Sequence, residues 1–169
     1  LRIFERRYLD MTRDCLKNND GFIIALTKRD SDYISSVYDY ASYVEIVDWS
    51  QLDGGLLGIT VEGKQIVKLS NCNLDECNLL KGDAEEVEYG VDYLVPQKYQ
   101  ILSKFYKKIY PEIKAYIFHI KPKYNDANWL GFRLIECLPI ELNDKADLIS
   151  MQEPLDLSLI HISEPTRQD

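Results

Sequence analysis

The 169-residue chain contains two histidines, four cysteines and 20 lysines and arginines against 28 aspartates and glutamates. Each shortage excludes something. The formal charge of -8 at pH 7 opposes a nucleic-acid backbone or an anionic membrane surface, because a polyanionic partner is held by a basic footprint that releases its counterions. No run approaches the ~20 apolar residues that cross a bilayer, and no charged head precedes an apolar run and cleavage site at the N-terminus. The expectation is a cytoplasmic chain with no membrane partner. Cys15, Cys72, Cys77 and Cys137 are scattered along a chain long enough to build a core without disulfides, so they read as free thiols in a reducing compartment. Cys72 and Cys77 are the only close pair, and the second pair that a zinc site needs is lacking.

Catalytic patterns are equally scarce. There is no Gly-x-Ser-x-Gly elbow and no His-Glu-x-x-His pair. His119 lies in the apolar run Tyr116-Ile117-Phe118-His119-Ile120, the setting of a structural histidine rather than a general base. The acidic group Glu85, Glu86 and Glu88 reads as a solvated edge. Gly58-Ile59-Thr60-Val61-Glu62-Gly63-Lys64 has phosphate-loop spacing, but Gln65 stands where a hydroxyl should hold magnesium. Its flanks are β-branched on both sides, so Gly63-Lys64 is expected to be a hairpin turn. No catalytic, cofactor-binding or metal-binding residue is assigned.

What the sequence does hold is a core. It is 46% hydrophobic, well outside the composition of disordered chains, and its length suits one domain or two small subdomains. Phe4, Tyr8, Met11, Thr12, Cys15 and Leu16 form a helical stripe that Asn18-Asn19-Asp20-Gly21 ends. Phe22 to Leu26 reads as a buried strand. From Ala41 to Asn71 three β-rich runs, separated by turn signals at Asp53-Gly54-Gly55 and Glu62-Gly63-Lys64, predict a three-stranded antiparallel meander. Leu79 to Tyr89 follows as an acidic edge strand.

Beyond Pro96 the period becomes helical. Leu102, Phe105, Tyr106 and Ile109 predict a helix that Pro111 stops or kinks. Asn125 or Asp126 caps a second carrying Leu130, Leu134, Ile135 and Leu138, and Asn143 a third. Lys104, Lys107, Lys108, Lys114, Lys121 and Lys123 gather here, a pattern that on a helix marks a solvated face. The class is α+β, with a β-rich subdomain over 1–96 and a helical one over 97–156. Trp49 and Trp129 offer large contact area. Most tryptophans pack, and Trp49 is the better binding candidate because it ends a strand beside a polar loop.

The chain starts at Leu1 rather than Met and is read as truncated there. Leu157-Ser158-Leu159-Ile160-His161-Ile162-Ser163-Glu164-Pro165-Thr166-Arg167 looks like a translated sequencing-library adapter. Residues 157–169 are therefore expected to be a non-native tail, and His161 carries no weight. Without that tail 19 basic residues face 26 acidic ones, so the chain stays acidic.

Leu1-Arg2-Ile3-Phe4-Glu5-Arg6-Arg7-Tyr8-Leu9-Asp10-Met11, Ile46-Val47-Asp48-Trp49 and Gly55-Leu56-Leu57-Gly58-Ile59-Thr60-Val61-Glu62-Gly63 resemble the LON substrate-binding domain. That domain is the N-terminal part of the ATP-dependent Lon protease and also occurs alone. Asp126 to Ile140, with Trp129-Leu130-Gly131-Phe132-Arg133, and Glu153-Pro154-Leu155-Asp156 continue the likeness, which covers residues 1 to about 156. Departures lie in 30–42 and 71–78.

The resemblance implies a PUA-like β pseudobarrel with one early helix, followed by a small helical bundle. It implies a non-catalytic module, lacking the protease's ATPase and peptidase modules, that binds unfolded or partly folded protein segments without a cofactor. Unpaired strand edges would add weak self-association. An RNA-binding module of PUA-like type is the alternative, and an enzyme with a site between the subdomains the third.

Overall fold

The computed structural model describes residues 1–28, 36–87, 94–114 and 121–150. His119, Glu88 and everything from Met151 onward, including Glu153 to Asp156 and the expected tail, lie outside the described residues. The chain divides into two compact units, Leu1–Val87 and Glu88–Asp169.

In the first unit, β1 (Arg2–Ile3), β2 (Phe22–Ile24), β3 (Tyr40–Gln51), β4 (Leu57–Leu74) and β5 (Leu80–Glu86) form one antiparallel five-stranded sheet, and α1 (Arg6–Asn18) lies between β1 and β2 in the chain. The path is β1-β4-β3-β2, with β5 also on β4. β1 pairs with Leu57 and Gly58 and β5 with residues from Val67 onward, so the two share one edge of β4 while β3 takes the other. Ala41, Val44, Ile59 and Val67 are the buried apolar side chains of the long strands of this unit, joined by Ile3 of β1.

α1 ends where the asparagine-rich turn predicts. Asn19 takes the left-handed conformation at φ 53°, which a short polar side chain tolerates, and the Asp20 amide donates to the Cys15 carbonyl at 3.0 Å. Its buried face is narrower than expected: Thr12 and Cys15 are buried, but Phe4 and Leu16 are exposed. Arg6, Asp10 and Arg13 form ion pairs at helical spacing on its solvent side. Gly21 then permits close approach to β3. A Cβ there would collide with the Val44 carbonyl oxygen, and the Gly21 amide donates to the Tyr43 hydroxyl at 3.0 Å.

Two strand expectations are corrected. Phe22–Ile24 is half-buried rather than buried, with Ile24 exposed, because β2 has β3 as its ladder partner and ends the sheet path. The expected meander is two long strands, since the second and third β-rich runs are both β4. Gly63-Lys64 is not a hairpin. Tyr43 pairs with Gln65 and Val44 with Gly63, which leaves Lys64 as the extra residue of a β-bulge. A bulge absorbs a glycine within a continuing ladder, whereas a tight hairpin would reverse the chain. The real reversal is at Asp53–Gly55, where Gly54 and Gly55 have φ of 76° and 78°, values that glycine adopts without a Cβ clash. The edge reading of the fourth run holds: β5 is exposed along nearly its whole length and carries Asp83, Glu85 and Glu86.

The second unit is helical. Leu94 bridges Asp126, and the Val95 amide donates to the Asn125 carbonyl at 3.0 Å, which fixes the entry of the chain. α2 (Gln100–Ile113) buries Leu102, Ser103 and Tyr106. It does not stop at Pro111 but continues to Ile113, the proline costing one backbone donor in the last turn. α3 (Ala127–Cys137) starts at Asp126, whose Oδ1 accepts from the Trp129 amide at 2.9 Å, so Asp126 rather than Asn125 is the cap. α4 (Leu142–Ser150) begins one residue before Asn143, which therefore lies inside the helix and is not its cap. Val95, Tyr99, Leu102, Tyr106, Ala127, Leu130 and Leu134 form one buried cluster, with Tyr124 and Trp129 packed against it.

Candidate functional site

The far end of the β3–β4 hairpin carries Trp49, the binding candidate of the sequence. Ile46 pairs with Val61 and Asp48 with Thr60, so Val47 is the extra residue of a second bulge. Before it, β3 buries Ala41 and Val44. After it, every residue from Val47 to Gln51 is exposed. A bulge re-aims the strand that follows, and here it carries apolar side chains out of cover.

Trp49 lies directly across the ladder from Ile59. On the other side of Ile59 is Leu1, whose backbone nitrogen donates to the Ile59 carbonyl at 2.7 Å and whose carbonyl accepts from the Ile59 amide at 2.9 Å. Leu1, Ile59 and Trp49 thus form one row across three strands, and opposed residues share a face. Ile59 is 3% exposed, while Leu1 is 57% and Trp49 61% exposed. Val47 and Phe4 are also exposed. The Asp48 carboxylate accepts from the Trp49 amide at 2.8 Å and holds the strand end in place. Leu52 closes the hairpin by packing on Gly58, where a Cβ would meet its side chain at 3.1 Å.

Further back along the same ladder, beyond the Asp48–Thr60 and Ile46–Val61 pairs, is an ionic cluster. Glu45 and Glu62 oppose each other across the ladder, and the Lys64 ammonium lies 2.7 Å from Glu62 and 3.3 Å from Glu45. Hydrogen bonds to Glu62 and then Glu45 raise the Lys64 pKa above the usual lysine value. The bulge thus turns the lysine of the apparent phosphate loop into a bridge between two carboxylates. The whole Gly58–Lys64 segment lies inside β4, with no helix N-terminus to offer amides to a phosphate.

The other sequence candidates are placed elsewhere. Trp129 packs inside the helical unit, edge to face with Tyr106 at 5.5 Å and with Tyr124 at 6.1 Å between ring centroids. Burial pushes the Tyr106 phenol up to about 12. Burial likewise raises the Cys15 and Cys137 thiols. All four cysteines are free, and among the described residues no group of three or more metal-ligating side chains is found. No described helix is long and apolar enough to cross a membrane. Both bulges escaped sequence reasoning, because the break in alternation that an extra residue makes, as at Ile46-Val47, reads equally well as an apolar cluster in a regular strand. The aromatic cluster left a signal that was available, the i,i+4 pair Tyr106 and Tyr110.

A scan against protein-family models found no match, and a search of curated proteins found none. Solved structures do match. A Lon N-terminal domain protein from Xanthomonas campestris superimposes with a TM-score of 0.78 at 23% identity, covering 98% of this chain and 88% of its own. The N-terminal domain of a Mycobacterium avium complex Lon protease matches with a TM-score of 0.51 at 14% identity, covering 86% of this chain and 91% of its own. The fold is that of a Lon N-terminal domain, as the sequence resemblance implies.

Proposed function

We propose that the chain is a non-catalytic protein-binding module of the cytoplasm that holds exposed apolar segments of unfolded or partly folded proteins. The observation that carries this reading is the pair Ile59–Trp49, in which a core residue is faced directly across the ladder by a large apolar side chain open to solvent, with Val47 exposed two residues away. Single exposed apolar residues are common, but a row continuous with the core is a surface on which an apolar segment loses water. Trp49 contributes most area per side chain and brings an indole donor. The likeness to Lon N-terminal domains supports the same reading, since the sequence resemblance implies substrate recognition.

The test is fluorescence anisotropy of a labelled, reduced and carboxymethylated unfolded protein, titrated with the chain at low and high salt. Binding that persists at high salt and falls on Trp49→Ala is the expected result, because apolar burial does not depend on counterion release. An RNA reader would instead bind labelled oligouridylate with a steep salt dependence and ignore the unfolded protein.

A further inference from the structure

One stretch of this acidic protein is strongly net positive because it holds almost no acidic residues. Residues 98–123 hold seven lysines and one acidic residue, Glu112, whereas the rest of the chain holds 13 basic residues against 27 acidic ones. Lys104, Lys107 and Lys108 lie on α2, Lys114 closes it, and Lys121 and Lys123 follow, all exposed. None of these six pairs with a carboxylate of the described residues.

Beside these lysines is an open hollow of about 420 Å³ walled by Leu94, Lys107, Pro122, Lys123, Tyr124 and Asn125. The Lys107 ammonium stands 5.1 Å from the centroid of the Tyr124 ring, a cation–π contact that keeps it at the wall. Asp126 also borders the hollow, but its Oδ1 accepts from the Trp129 amide at the start of α3. The hollow therefore combines two ammonium groups, one carboxylate already engaged at the start of α3, an amide and apolar surface, so its lining is positive by one charge.

We propose that this hollow is a docking site for an acidic peptide segment, whose carboxylates meet Lys107 and Lys123 while an adjacent apolar side chain rests on Leu94 and Pro122. Charge complementarity names the occupant. A short acidic segment feels the local lysines, because charges beyond about 8 Å are largely screened at physiological salt. A nucleic acid would lay its phosphates over a footprint longer than these few lysines supply. The site is separate from the Trp49 row and does not depend on its reading.

Trp129, packed on Tyr124, supplies a built-in reporter. The chain labelled with nitrogen-15 is titrated with an acetylated Glu-Glu-Leu-Glu-Glu peptide, with its glutamine counterpart, and with an oligouridylate of equal charge. The expected result is movement of the Trp129 indole signal with the glutamate peptide alone, weaker binding as salt rises, and affinity about tenfold lower in the exposed double variant Lys107→Glu, Lys123→Glu. Lys68→Glu, on the sheet, should leave the affinity unchanged. The proposal is overturned if the glutamate peptide fails to bind, if the double variant binds as well as the parent, if Lys68→Glu weakens binding equally, or if the oligouridylate binds more tightly.

Discussion

Trp49 and Ile59 are direct partners across the β3–β4 ladder, yet the cover of the sheet stops between them: Ile59 is 3% exposed and Trp49 61%. The two residues therefore answer differently to truncation. Ile59→Ala removes buried methylenes and leaves a cavity, at a cost of about 2–5 kcal/mol. Trp49→Ala removes a side chain already in water and should change stability by no more than about 0.5 kcal/mol. Urea denaturation of the two variants measures both, and equal losses would place Trp49 in the core.

In the helical unit the same contrast separates Leu134 from Leu142. Leu134 is 2% exposed and belongs to the buried cluster, whereas Leu142 opens α4 at 64% exposure. Leu134→Ala is expected to cost about 2–5 kcal/mol and Leu142→Ala about 0.5 kcal/mol or less. An unchanged denaturation midpoint for Leu134→Ala would mean that this stripe of α3 faces solvent.

Lys64 stands between Glu45 and Glu62, and taking it away leaves two carboxylates opposed across the ladder. Lys64→Ala should lower the thermal midpoint, more at low salt than at high salt, since screening weakens the repulsion that remains. Neither parent nor variant should release phosphate from ATP. Phosphate release that disappears with Lys64 would restore the phosphate-loop reading.

Tyr106 gives the protein a pH dependence on the alkaline side. Burial raises its pKa in the folded chain to about 12 from the ordinary value near 10. The folded state then keeps its proton where the unfolded state has lost it, so stability is full below about pH 10 and falls as pH rises toward 12. Tyr106→Phe has no proton to lose. Its midpoint should decline less steeply over that window than the parent's, and parallel curves would show that Tyr106 ionises as freely folded as unfolded.

Much of this fold is legible in the residues. The asparagine turn after α1 and the Gly54-Gly55 reversal each rest on a local backbone requirement that few residue types meet, and each is found where expected, while of the two caps expected for α3 the structure selects Asp126. Where a local signal had two structural solutions, the sequence chose less well. Gly63-Lys64 suits a hairpin or a bulge, and the pairing with β3 selects the bulge. Pro111 ends a helix or sits in its last turn, and helix packing decides between them. Asn143 caps or is carried one position inside, a shift that only the preceding backbone determines. The candidate site was half legible. Trp49 stood out by size and by its place at a strand end, but the bulge at Val47 and the row with Leu1 and Ile59 exist only through register. The hollow beside Tyr124 brings residues on α2 together with residues before α3, and no spacing along the chain announces it.

The most direct measurement of the central claim uses the two indole signals of the nitrogen-15-labelled chain, one from exposed Trp49 and one from packed Trp129. Titration with an uncharged, apolar, unstructured peptide at high salt should move the Trp49 signal and leave the Trp129 signal in place. A Trp49 signal unmoved at saturating peptide, or binding that leaves both indoles unchanged, would contradict the assignment of the Trp49 end of the β3–β4 hairpin as the surface that holds other proteins.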